Sequence, residues 1–255
     1  RDVRIVAEDE DAYAFSGDIL VDQFAGEDLV VLASAISTSF ADVRIEASRD
    51  ISVEAGIANR RPNVDLTLSA GRDLLLGASI VMRGTLTLTA DAGFASQASD
   101  GVGAIRVLGA LRLESSFAEL RLSAPEGIDG SAMAPGDLLT LDTSEGLVLP
   151  DVALAGGLVT TSLGPTTTGA ISAHLLEMEA LSLTLGGPAA VTGESRFATA
   201  GGGFSALDAG NAFGGAVTID TTAGGTAAPG DATLVAGGDL TLGATKVGAL
   251  TLEAG

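Results

Sequence analysis

The chain contains no cysteine and no tryptophan, and it has one tyrosine, Tyr13, and one histidine, His174. Without cysteine, disulfides, thiolate zinc sites and cysteine nucleophiles are excluded. No run of about 18 apolar residues occurs, which excludes a membrane-spanning helix. Arg1 is not followed by the charged and apolar regions of a signal peptide, so we expect an interior or processed segment of a longer protein.

Basic residues are scarce: 13 Lys and Arg stand against 33 Asp and Glu, for a net charge of −20. This balance opposes binding to nucleic acid, whose phosphates require Lys or Arg. It fits a surface kept soluble by self-repulsion, or one that collects calcium. The run Glu8-Asp9-Glu10-Asp11 is a candidate calcium turn. Because the ligand spacing of an EF-hand is missing there, a solvated corner is the favoured interpretation.

Glycine is abundant, with 35 residues, and small and β-branched residues supply most of the apolar 46%. The mean hydropathy of +0.42 excludes a disordered chain. Residues of this kind favour a thin, repetitive core over one built around large aromatic rings. The Gly-rich stretches 201–203 and 209–215 lack the spacing of phosphate-binding loops, so they are interpreted as turns.

The segment Val64–Gly93 shows the internal repetition most clearly. Its apolar-alternating runs begin at Leu66, Leu74 and Leu86, so a shorter step and a longer step together make one period. A second copy of the pattern occupies Ala232–Gly255. Similar short runs, separated by Gly, Asp or Pro, recur along the whole chain, and a period of about 20 residues is typical of a solenoid.

The repetition predicts an all-β fold, a right-handed parallel β-helix with coils of about 19–20 residues that forms a single continuous segment over 1–255. A sandwich or propeller would have longer strands or repeats, and a leucine-rich repeat would need regular Asn positions. We expect roughly 12 coils and a rod of about 60 Å. The side chain of Leu242 in the second segment should point inward, and so should those of four leucines in the first segment: Leu66, Leu68, Leu86 and Leu88. The threonines between them should point outward. No cap is visible at Gly255, so we expect further coils beyond it.

Three stretches, Asn211–Ile219, Gly237–Ala244 and Val247–Leu252, together with Val64–Gly93, resemble repeats of filamentous-haemagglutinin-like proteins. The resemblance implies a large secreted exoprotein of a Gram-negative bacterium that forms a β-helical fibre. It further implies a location at the cell surface, an outer-membrane secretion partner, and a role in adhesion, biofilm formation or contact-dependent competition. The Asn-Pro-Asn-Gly-type signature of the family's secretion domain is not found in this chain.

No residue group points to catalysis, a cofactor or a metal, and we expect no enzyme. His174 is isolated. The segment Asn59–Asn63 is predicted to be a loop, and its Arg60-Arg61 doublet is interpreted as solvated rather than as an anion site. Glycosidases need two facing carboxylates, which chance could provide among 33 acidic residues, but a sugar platform of aromatic residues is missing. Three functions stay open: an adhesin shaft, a subunit of a self-assembling filament or matrix, and a polysaccharide-cleaving β-helix.

Overall fold

The computed structural model describes residues 1–8, 12, 18–20, 27–94, 98–223, 229–238 and 240–254. Over these residues the chain is built from short parallel strands and one six-residue helix. The predicted fold class, an all-β parallel β-helix, is confirmed. No helix in this part of the chain is long and apolar enough to cross a membrane.

The elements follow one another in chain order. The first half contains β1 (Val3–Val6), β2 (Leu29–Leu32), α1 (Ala33–Thr38), β3 (Val43–Ala47), β4 (Ile51–Val53), β5 (Ile57–Asn59), β6 (Leu66–Ala70), β7 (Leu74–Leu76), β8 (Ile80–Met82), β9 (Leu86–Thr89), β10 (Ile105–Val107), β11 (Leu111–Ser115), β12 (Leu120–Ser123), β13 (Ile128–Gly130) and β14 (Leu138–Thr143). The second half contains β15 (Leu147–Leu149), β16 (Val152–Leu154), β17 (Gly157–Ser162), β18 (Thr166–Thr168), β19 (Ile171–Ala173), β20 (Leu175–Ala180), β21 (Leu183–Leu185), β22 (Ala189–Val191), β23 (Ser195–Thr199), β24 (Phe204–Ala206), β25 (Ala212–Phe213), β26 (Val217–Asp220), β27 (Ala232–Ala236), β28 (Leu242–Lys246) and β29 (Leu250–Ala254).

Each coil from β3 to β27 contributes one strand to each of three faces. Face 1 is a sheet of ten strands in the order β2-β1-β4-β7-β10-β13-β16-β19-β22-β25, and face 2 is a sheet of nine strands from β5 to β28. Face 3 consists of a four-stranded sheet, β3 to β12, and a six-stranded sheet, β15 to β29, which adjoin where β12 contacts β15. The chain passes from face 3 to face 1, then to face 2, and back to face 3.

The coil length varies more than the repeat predicted. Leu66 pairs with Leu86, one predicted period further on, as expected. On face 1, however, Ile51 pairs with Leu74 and Leu74 pairs with Ile105, so both of these coils are longer than the predicted period. The longer coils are the reason why face 1 has ten strands among the described residues, fewer than the number of coils expected. The two steps of the repeat predicted two strands in each coil. The structure has a third strand, β8, within the longer step.

The core is a continuous column of inward side chains. The predicted inward leucines of the first segment, Leu66, Leu68, Leu86 and Leu88, are fully buried, while Thr87 between them faces outward and is half-buried. Three phenylalanines of the described residues also lie inside, and the rings of Phe197 and Phe204 stack with their centroids 4.6 Å apart. Alternation at period two therefore decides burial along each strand.

The N-terminal end of the column is covered. β2 pairs outside β1, and α1 occupies the face 2 position of the first coil, where it packs against β5. Ile36 of α1 is completely buried, and the Asn59 amide donates to the carbonyl oxygens of Ile36 and Ser39 at 3.0 and 3.1 Å. Asn59 was predicted to lie in a loop; that prediction is wrong, since it is a buried strand residue that holds the helix in place.

The C-terminal end of the column is open. Leu250 and Leu252 pair with the buried Ala232 and Leu234, yet they are 38% and 41% exposed. Leu242, predicted to be inside, is 36% exposed. These side chains occupy inward positions but have a neighbouring coil on one side only. The strand edges of β28 and β29 face away from the rest of the described structure.

Candidate functional site

Many of the carboxylates hold coils together at the corner that leads into face 1. A row of aspartates there, which we call the acid ladder, accepts the backbone N–H of the next coil through Oδ1. The backbone N–H of Asp2 donates to Asp28 at 2.7 Å, and that of Asp50 donates to Asp2 at 3.2 Å. In the next two coils, the N–H of Asp73 donates to Asp50 at 3.1 Å and that of Ala104 donates to Asp73 at 2.9 Å. Aspartate thus serves as the acceptor for N–H groups that the strand ladder leaves free.

Arginines reinforce the acid ladder from outside. The Arg49 guanidinium donates to both carboxylate oxygens of Asp2, at 3.0 and 2.5 Å, and Arg72 binds Asp50 in the same way. Partial burial raises the pKa of Asp2, but the hydrogen bonds from Arg49 and from the Asp50 amide outweigh it and hold the pKa below its ordinary value. The missed sequence signal is the dipeptide Arg-Asp before an apolar strand, which occurs at 1–2, 49–50 and 72–73.

A single aspartate organises the long loop between β9 and β10. The hydroxyl of Ser99 and the amides of Asp100 and Gly101 all donate to the carboxylate of Asp91, with the amide bonds at 3.0 and 2.8 Å. The Ser99 hydroxyl, followed by the two amides, lowers the pKa of Asp91. Its charge is therefore used to close the loop.

The remaining candidate residues are not brought together. His174 lies at an exposed corner, and its Nδ1 is 3.0 Å from the hydroxyl of Thr192. In the part of the chain that the structure describes, no three His, Asp or Glu side chains form a group that could hold a metal ion. Of the acidic run at 8–11 only Glu8 is described, and it is exposed. Tyr13 lies outside the described residues.

The Arg60-Arg61 doublet has an unexpected neighbourhood. It lies at the corner between faces 2 and 3, where the Arg61 guanidinium carbon is 3.5 Å from the centroid of the Phe40 ring. One coil further on, Arg83 lies 4.5 Å above the ring of Phe117. The two rings are 80% and 65% exposed, so these are surface stacks. We call the row formed by Phe40, Arg60, Arg61, Arg83 and Phe117 the Arg–Phe ridge.

A shallow groove runs along the outside of face 1. Its volume is about 490 Å³. Its floor contains the small outward residues Ala153, Ser172 and Ala190, and its wall includes Glu126 and Asp151. The lining also contains Arg106, which is paired with Asp73 and Asp129. We call this feature the face 1 groove.

Comparison with known proteins places a recognised repeat in the first half of the chain. A family model described as repeats of unknown function (DUF5649) matches residues 63–126. The matched segment runs from β6 to β12 and includes the long loop between β9 and β10. No curated protein matches the chain. No solved structure matches it either.

Proposed function

We propose that this chain is a structural shaft of a secreted bacterial surface adhesin or fibre, which extends a binding region away from the cell. The observation that carries the proposal is the continuous parallel pairing: face 1 and face 2 each form one sheet through successive coils, with a register shift on face 2 between β26 and β28. A solenoid in which every coil contacts mainly its neighbours adds length with each repeat, and its stability grows by the same step.

Two further observations support a spacer. The carboxylates of the acid ladder and the loop carboxylate of Asp91 are used to join coils and close a loop, so much of the acidic character has a structural purpose. At the C-terminal end, the inward Leu250 and Leu252 are partly exposed, and among the described residues no further strand pairs with the outer edges of β28 and β29. Such an end can accept a further parallel strand on each of two faces. The resemblance to filamentous-haemagglutinin-like repeats adds the expected location, the bacterial cell surface.

A spacer can be shortened without loss of function if the register is preserved. Val152 pairs with Ile171, and Ile171 pairs with Ala189, so removal of residues 152–188 deletes two whole coils on face 1. We expect cells that display this variant of the natural protein to keep their adhesion and to carry a fibre shorter by about 10 Å.

The matched control is a deletion of one and a half coils, residues 152–179, which places residues 180–182, the end of β20 and the corner after it, on face 1. It should abolish the fibre, because inward and outward positions no longer align. Adhesion by the displaying cells and electron microscopy of the fibre measure both variants. Loss of adhesion in the in-register deletion, with the fibre intact, would show that this region carries a site and would contradict the proposal.

A further inference from the structure

Three arginines stand apart from all other basic residues of the described chain. Nine basic side chains lie within 4.0 Å of a carboxylate: Arg4, Arg44, Arg49, Arg72, Arg106, Arg112, Arg121, Arg196 and Lys246. Arg1 donates to the carbonyl oxygens of Leu20 and Glu46. Arg60, Arg61 and Arg83 have no carboxylate partner among the described residues, although acidic residues outnumber basic ones in this chain by 33 to 13. All three belong to the Arg–Phe ridge.

The ridge holds Arg61 and Arg83 in fixed positions. A guanidinium that stacks on an aromatic face is oriented by cation–π attraction, and its N–H groups point outward at the edge. Nη1 of Arg83 also donates to the carbonyl oxygen of Arg60 at 3.4 Å, which further orients this side chain. Carboxylates of the same corner are already engaged: Asp42 and Asp65 accept backbone N–H groups, and Glu119 pairs with Arg121. Aromatic rings and arginines are the residue types that dominate the centres of protein–protein interfaces.

The face 1 groove has the complementary character. It is concave and floored by small side chains, whereas the ridge is convex and carries large ones. Asp151 of its wall has no basic partner among the described residues, although its Oδ1 accepts the backbone N–H of Ala170. Glu126 interacts electrostatically with Arg106 of the same groove but forms no ion pair within 4.0 Å among the described residues, since Arg106 pairs with Asp73 and Asp129. The groove therefore offers carboxylates to the arginines of the Arg–Phe ridge, which have no carboxylate partner among the described residues. The ridge lies at the corner between faces 2 and 3, and the groove lies on face 1 in later coils.

We propose that the Arg–Phe ridge of one copy of this chain docks into the face 1 groove of a second copy. Arg61 and Arg83 pair with Glu126 and Asp151, and Phe40 or Phe117 covers the floor around Ser172. The corner between faces 2 and 3 lies opposite face 1 in a three-faced coil, so a single partner cannot contact both the ridge and the groove of one copy. The contact is therefore heterologous and leaves a free ridge on one copy and a free groove on the other. It therefore propagates into open-ended lateral arrays rather than closing as a dimer.

Charge decides the conditions under which the contact forms. The net charge of −20 makes whole molecules repel one another, but at physiological ionic strength this repulsion is screened beyond about 8 Å. The pairs in the contact act at shorter range, so they survive moderate salt. The inference goes beyond the shaft role because it concerns how shafts associate side by side. The deletion of residues 152–188 removes Ala153 and Ser172 from the groove as well as two coils, so the side-by-side contact is tested by substitutions that leave the number of coils unchanged.

The test uses a ridge variant and a groove variant of the 255-residue chain. The ridge variant carries Arg61→Glu and Arg83→Glu, and the groove variant carries Glu126→Lys and Ser172→Trp. Controls with the same charge changes lie elsewhere: Arg196→Glu with Lys246→Glu, and Glu145→Lys with Thr184→Trp. Every substituted residue except Arg83, which is half-buried, is exposed, and circular dichroism and the melting temperature check folding in each variant.

Sedimentation velocity gives the outcome. We expect the wild type and both controls to form concentration-dependent oligomers larger than dimers, and each variant alone to be monomeric. An equimolar mixture of the two variants should give a 1:1 dimer and nothing larger, because one intact ridge meets one intact groove. A wild type that stays monomeric at about 1 mM would overturn the proposal. Association that persists in both variants would also overturn the proposal. Such a result would indicate an end-to-end contact through the open C-terminal face.

Discussion

At the scale of single residues, the acid ladder shows how the sequence uses its excess of aspartate. Asp50 receives two kinds of bond: the backbone N–H of Asp73 at 3.1 Å and the guanidinium of Arg72. The Arg72 side chain is 56% exposed, and exposed ion pairs contribute about 0–1 kcal/mol. A hydrogen bond between a charged acceptor and a backbone N–H at a partly buried corner contributes about 1.5–3 kcal/mol. The contact with the backbone is therefore the more important one.

Substitution of each partner separates the two contributions. Asp50→Ala should lower the free energy of unfolding by about 1.5–3 kcal/mol, because the Asp73 amide loses its acceptor. Arg72→Gln should cost less than about 1 kcal/mol, because only the exposed pair is lost. Urea denaturation followed by circular dichroism measures both. A larger loss for Arg72→Gln than for Asp50→Ala would show that the ion pair, not the amide bond, holds the corner.

At the scale of the coil, close approach between neighbouring turns restricts the residues at the corners. A Cβ at Gly71 would lie 2.5 Å from the carbonyl oxygen of Ser48 in the preceding coil. That atom belongs to the backbone, and its coil is fixed by the pairing of β3 with β6. Gly136, by contrast, lies in a turn with nothing within 4 Å of the position a Cβ would take. The two glycines therefore have different structural roles.

An alanine at each glycine tests this difference. Gly71→Ala should lower the free energy of unfolding by about 1–3 kcal/mol, because the coils must separate to admit the methyl group. Gly136→Ala is the matched control and should change it by less than about 0.5 kcal/mol, or raise it slightly by restricting the unfolded chain. Thermal unfolding of the two variants measures the effect. Equal melting temperatures would mean that the Gly71 corner relaxes at no cost.

At the scale of the whole molecule, the two ends of the rod differ. Ile36 and Val31 at the N-terminal end are completely buried under β2 and α1, while Leu242, Leu250 and Leu252 at the other end are about two-fifths exposed. In a solenoid, each coil is stabilised by its contacts with the coils on both sides. A coil with one neighbour therefore opens at a lower free energy than a coil with two.

Hydrogen exchange of the whole chain should reveal this gradient. We expect the lowest amide protection in β28 and β29, high protection in central strands such as β14 and β17, and intermediate to high protection in β1 under its cover. Measurement by mass spectrometry after proteolysis resolves these segments. Uniform protection along the rod would indicate that the whole molecule opens as a single cooperative unit.

The sequence alone determined the class of fold, because alternation at period two and recurrence at a solenoid-like period are local properties of the chain. Leu66, Leu68, Leu86 and Leu88 could be placed inside from their spacing, and Leu86 was correctly placed one coil after Leu66. The segment Ala173–Glu179 has the propensity for a helical turn, but its position between strand patterns favours a strand, and β19 and β20 span it apart from the bend at His174. The recurrence did not predict the third strand of the coil, because β8 (Ile80–Met82) lies inside the longer step, between the runs that begin at Leu74 and Leu86.

Only the tertiary structure decided which side chains of different coils meet. Asn59 looked like a loop residue, but the carbonyl oxygens at the end of α1 require an amide donor, and the fold places Asn59 there. The Arg60-Arg61 doublet looked like a solvated loop until coil stacking brought Phe40 and Arg83 to the same corner. Residues far apart in the chain become neighbours when coils stack. The number of residues in each corner determines which side chains come into contact. That number varies from coil to coil, so spacing alone does not determine the contacts.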